Sequence, residues 1–105
     1  MSTFDDRERS YEKKFALDQE LRFKAEARRN KLLGEWAAGK IRLSGPAAEN
    51  YIKAINKCHV AKGNEEVFRK LMRDLEGAGA AVTAHELRAM MQDFLAASVA
   101  EIERA

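Results

Sequence analysis

The sequence has 105 residues, of which 46% are hydrophobic and 34% charged, with one proline and six glycines. That is the size of one helix-rich domain, and no stretch approaches the roughly 20 apolar residues a membrane span needs. A net charge of +2 is too small for the basic surface of a general nucleic-acid binder, and a lone Cys58 excludes an internal disulfide and suits a reducing cytoplasm.

The charge is unevenly spread: residues 1–43 carry 11 Lys/Arg against 8 Asp/Glu, and residues 44–105 carry 8 against 9. The chain opens on Asp5, Asp6, Arg7, Glu8 and Arg9 without an apolar run, so no secretory signal is expected.

Residues 4–41 read as one helical segment, broken only by Gly34 and Gly39 near its end. At about 1.5 Å per residue it would span roughly 57 Å. The later helical patterns are half that length or less, so they can bury only its second half. Thr3 is placed to cap it, with Asp5 and Asp6 in the first turn. Asp5 with Arg9, Asp18 with Arg22, and Glu20 with Lys24 form i,i+4 pairs in the favourable order. Phe4, Tyr11 and Phe15 fall within about 40° of one another on a helix, among residues that are nearly all charged. Three readings stay open for this stripe: an anchor for a partner's groove, extra core folded back on the bundle, and a tail without a role.

From Leu21 the pattern turns apolar, through Ala25, Leu32, Leu33, Trp36, Ala37 and Ile41, and Trp36 is expected to anchor the core. The stripe is interrupted by Arg28, Arg29, Asn30 and Lys31. Gly34 allows either close packing or a bend. Ser44 and Pro46 start a second helix, with Ala48, Tyr51, Ile52, Ile55 and Cys58 at helical spacing. A turn over residues 61–63 follows, with Asn64 as the next N-cap and Glu65 and Glu66 in the first turn. Phe68, Leu71, Met72 and Leu75 make a short amphipathic helix ended by Gly77 and Gly79. Thr83 and Glu86 form a capping box, and Val82 with Leu87 a hydrophobic staple. Leu87, Met91, Phe94, Leu95, Val99 and Ile102 then share one face. The reading is all-α: a small antiparallel four-helix bundle with a long first helix and a mobile N-terminal arm. The arm is residues 1–18 and the bundle residues 19–105, with helices at about 19–43, 46–60, 65–76 and 84–103.

Nothing in this pattern carries a reaction. Cys58, His59 and His85 lack the spacing of a zinc site, and no residue pair resembles a nucleophile with its base. A buried thiol, a rim histidine and a first-turn histidine are expected. No Walker or Gly-x-Gly-x-x-Gly loop exists. The basic cluster Arg22, Lys24, Arg28, Arg29 and Lys31 is open to three readings: a solvated face, a contact for an anionic protein or a nucleotide phosphate, and a nucleic-acid contact. Glu20 and Glu26 within it weigh against the last.

The strings TFDDRE (residues 3–8), ELRFKAEARRNKLLGEWAA (20–38), VFRKLMRDL (67–75) and TAHELR (83–88) resemble the zeta-type inhibitor subunit of alpha-proteobacterial F-type ATP synthases. The resemblance covers essentially the whole chain. It departs at Glu35, where the family is often apolar, and at residues 60–64, where it is often more acidic. The resemblance implies a non-enzymatic regulator whose N-terminal arm becomes helical in an interface between alpha and beta subunits of the catalytic head, with gamma as a further contact. There it blocks rotation in the hydrolysis direction. Carried onto this chain, Phe4, Tyr11 and Phe15 are the groove anchors and Asp5, Arg7, Glu8 and Arg9 the polar contacts. Arg22, Lys24, Arg28 and Arg29 extend that surface or meet phosphate. The resemblance also implies ADP or ATP as a regulatory ligand at residues it does not identify, with no required cofactor and no metal. It implies a cytoplasmic location, peripheral to the inner membrane through the ATP synthase, with no nucleic-acid partner and no membrane insertion. The alternative is an adenine-nucleotide-binding bundle with a sensing or adaptor role and little inhibitory activity.

Overall fold

A computed structural model describes residues 19–104. Four helices account for nearly all of them: α1 Gln19–Ile41, α2 Gly45–Lys62, α3 Asn64–Gly77 and α4 Ala84–Arg104. They form a small antiparallel bundle, as expected. The arm, with Phe4, Asp5, Arg7, Glu8, Arg9, Tyr11 and Phe15, and the pairs drawn from Asp5 and Asp18, lie outside the described residues.

The connections are short because backbone geometry closes each helix abruptly. Arg42 takes a left-handed φ of 67°. The Leu43 amide then donates to the Ala38 carbonyl at 2.8 Å, ending α1 two residues before the expected 43. Ser44 precedes α2 in extended backbone, but its side chain makes no capping bond. Pro46 sits in the first turn as read. The expected turn over residues 61–63 shrinks to Gly63, since α2 runs on to Lys62. Gly63, at φ 89°, is also the N-cap of α3, in place of Asn64. Only a glycine joins two helices so tightly at that angle without strain, and Asn64 falls inside the helix with its side chain used elsewhere. Gly79, at φ 74°, reverses the chain after α3, and the Ala80 amide reaches the Leu75 carbonyl at 2.9 Å. At α4 one half of the capping box is formed: the Glu86 amide donates to Thr83 Oγ1 at 3.0 Å, while Val82 packs on the core that holds buried Leu87.

α1 is the central helix, with its largest contacts to α2 and α4, while α3 lies mainly against α2. The core is Leu33, Ala37, Ile55, Val67, Leu71, Leu87 and Met91. Burying each large aliphatic side chain contributes about 1.5–3 kcal/mol. Trp36 does not sit at the centre; it is half-buried and packs on the core from its rim, as do Tyr51, Phe68 and Phe94. Cys58 is likewise only half-buried. Gly34 is there for close packing: a Cβ at that position would stand 3.1 Å from Ile52 Cα and 3.1 Å from its Cγ1. Glu35, the charged departure in this stretch, faces solvent, where a carboxylate is at no disadvantage.

Candidate functional site

The expected basic cluster does not stay together. Arg22, Lys24 and Arg28 lie on the exposed face of α1, each with a carboxylate. Arg22 Nε donates to Glu26 Oε1 at 2.9 Å, Lys24 Nζ stands 3.5 Å from Glu20 Oε1, and Arg28 pairs with Glu101 of α4. Exposed pairs of this kind contribute little to stability, and their cations remain accessible. Arg29 points inward and is only 2% exposed. It is no part of the accessible cationic surface, because the row Ala25, Arg29, Leu33, Ala37 is the buried face of α1.

Arg29 and Asn30 replace the apolar core at this level with a hydrogen-bonded layer. Arg29 donates through Nε at 3.1 Å and Nη2 at 2.8 Å to Asn30 Oδ1. Its Nη2 also donates to Asn64 Oδ1 at 2.8 Å, which is where the expected capping side chain has gone. Asn30 Nδ2 donates to Asn56 Oδ1 at 3.0 Å. Among the described residues no buried side-chain nitrogen or oxygen is left without a partner, as a stable buried polar layer requires. Burial pulls the Arg29 guanidinium below its ordinary value, and Glu26 opposes the shift.

His59 borders this layer, with Nε2 at 3.3 Å from Glu26 Oε2. Burial, then the Arg29 charge, lowers its pKa, against opposing contributions from Glu26 and a hydrogen bond with Asn64, while Arg22 lowers it further. It is therefore neutral near pH 7. His85 is exposed in the first turn of α4, as expected. Sequence reasoning missed Asn30, Asn56, His59 and Asn64 as one cluster. The signal was there in the four-residue row through Ala25 and Leu33, which forces residue 29 inward.

Two hollows flank the layer. A cleft of about 250 Å³ is lined by Arg29, Asn64, Glu65, Arg88, Met91, Gln92 and Leu95. At its mouth Arg88 donates to both Glu65 oxygens, at 2.8 and 3.2 Å, and lies 3.8 Å over the Phe68 ring. That bond holds the Glu65 carboxyl below its ordinary value. A groove of about 350 Å³ runs between α1 and α2, lined by Ala27, Lys31, Ile52, Lys53, Asn56 and Lys57.

Among the described residues no group of three or more His, Cys, Asp or Glu could hold a metal ion. No described helix is long and apolar enough to cross a membrane. No curated protein matches the chain. The family described as ATPase inhibitor subunit zeta matches it over residues 1–101.

Proposed function

The chain belongs to the ATPase inhibitor subunit zeta family, and from that premise we propose that it restrains ATP hydrolysis by the catalytic head of an F-type ATP synthase. Residues 1–18 act as the inhibitory segment, and α1–α4 are the body that carries them. The observation behind this reading is the span of the match, which begins at residue 1 and so takes in the aromatic-striped segment together with the bundle.

The segment enters a groove between an alpha and a beta subunit as a helix, with Phe4, Tyr11 and Phe15 along one side. Asp5, Arg7, Glu8 and Arg9 set its register against polar groups of the groove. A wedge there stops the interface from cycling in the hydrolysis direction. Ordering the segment costs about 2–5 kcal/mol of the gross interaction energy, and the three rings are the groups able to offset it. Arg22, Lys24 and Arg28 continue the contact surface onto the bundle. Arg29 does not take part, since its donors are held by Asn30 and Asn64. The protein acts as a regulatory subunit rather than an enzyme, in the cytoplasm and peripheral to the inner membrane through its partner.

ATP hydrolysis by the purified head, titrated with the full chain and with Phe4→Ala combined with Tyr11→Ala, tests this. The double variant is expected to need more than tenfold higher concentration for half-inhibition. Equal potency contradicts the anchor role of the rings.

The cleft beside Arg29 favours a second reading, an adenine-nucleotide site. Met91 and Leu95 would face the base, and Arg88 the phosphates. Saturable amide shifts on titration with ADP, lost in Arg88→Ala, are expected from it. Their absence removes it.

A further inference from the structure

The two large apolar side chains most exposed among the described residues are Phe23, at 66%, and Val60, at 63%. Neither lines the α1/α2 groove, but each lies one helical turn beyond a residue that does. Phe23 precedes Ala27 by one turn on the same row of α1, and Val60 follows Asn56 by one turn on α2. The two helices run antiparallel, as the contacts of Gly34 with Ile52, Asn30 with Asn56 and Glu26 with His59 require. Phe23 and Val60 therefore stand at the same end of the groove, the end nearer Gln19.

The groove is lined by the apolar Ala27 and Ile52, the amide of Asn56, and Lys31, Lys53 and Lys57, with no carboxylate in its lining. Lys31 also borders a neighbouring hollow that holds Glu35 and Glu101. Even so, no ion pair forms at any of the three lysines among the described residues. Lys53 and Lys57 are like charges four apart on one helix, an arrangement that disfavours the helix itself. No ion pair within the described residues occupies these lysines, and a ligand with one apolar side and one acidic side would complement them.

We propose that this groove is a second docking site for the ATPase head and takes an acidic amphipathic segment of that partner. The proposal rests on the inhibitory reading given above and adds to it a place where the bundle itself is held. Charge selects the occupant. Residues 1–18 of this chain carry five acids interleaved with four bases, a poor complement to three lysines. A second copy would set lysine against lysine. An acidic segment from the partner is drawn to the groove by the lysine charge, which acts mainly on the association rate. Its apolar face covers Phe23, Ala27, Ile52 and Val60.

The test uses the full chain with the photo-crosslinker p-benzoylphenylalanine at the position of Ala27, and separately at that of Tyr11, each mixed with the purified head. Both are expected to crosslink to the head, the Ala27 probe to an acidic segment. Crosslinking from Tyr11 but not from Ala27 overturns the groove and leaves the inhibitory reading standing. Crosslinking from neither sinks both. An Ala27 product with residues 1–18 or with a second copy also overturns the groove. As an independent measurement, Lys53→Glu combined with Lys57→Glu alters only exposed positions, so the fold, checked by circular dichroism, is expected to persist. Affinity for the head should fall at least about tenfold at low salt, with the difference shrinking as salt rises. Unchanged affinity overturns the proposal.

Discussion

Toward Ile41, α1 meets its neighbours through Leu33, Gly34 and Ala37, all buried and all apolar. Toward Gln19, the same face carries Arg29 and Asn30, buried as completely but bonded to Asn56 and Asn64. Both ends are filled, but with different consequences. An apolar contact gains from area alone and tolerates a shift along the groove. A hydrogen-bonded layer is satisfied in one register only, and any slip strands a guanidinium and three amides. The apolar end supplies stability, and the polar end fixes how α1, α2 and α3 are aligned. It is also the end of α1 nearer Gln19, the first described residue.

The largest loss of stability is expected at the apolar end. Leu33→Ala opens a cavity at a position with no exposure and is expected to cost about 2–5 kcal/mol in denaturant unfolding. At the polar end Asn30→Leu keeps the branched shape, though it is bulkier, and leaves Arg29 and Asn56 short of partners. A loss of about 1–3 kcal/mol is expected, together with broadened amide signals in α2 and α3 that Leu33→Ala does not produce. If Asn30→Leu stabilises the protein and the signals stay sharp, the layer does not set the register.

The pH dependence separates the ends by a smaller effect. His59 is held below the ordinary imidazole value of 6.5 by burial first and then by Arg29. Its folded value lies below its unfolded one, so its contribution is complete above about pH 6.5 and is lost as pH falls through the folded value. Stability measured downward from pH 6.5 should decline in the parent and decline less in His59→Gln. The smallest effect belongs to the exposed pair of Lys24 with Glu20. Glu20→Gln should change stability by no more than about 0.5 kcal/mol.

The sequence carried the helices well, because their signals are local. The Thr83 cap, the proline at the start of α2 and the periodic stripes each act within a few residues. It misled where a side chain had a distant choice. Asn64 reads as a cap from its neighbours, but in the fold Arg29, thirty-five positions earlier, takes its oxygen. Arg29 and Asn30 read as an interruption of the apolar stripe and are in fact its continuation, because their partners lie on other helices. Trp36 reads as a core anchor by size, yet the close approach of α1 to α2 at Gly34 favours small and branched residues at the centre and leaves the indole at the rim. Of the candidate site, Arg22, Lys24 and Arg28 were legible as exposed cations. The α1/α2 groove was not, since it exists only once two helices are paired.

The division of labour between the N-terminal segment and the bundle is tested most directly by ATP hydrolysis with the purified head. The full chain is compared with a chain starting at Gln19, which retains all four described helices. Inhibition by the full chain and none by the shortened one is expected, and the shortened chain should still compete with the full chain for the head. Equal inhibition by both would place the activity in the bundle and remove the inhibitory role of residues 1–18.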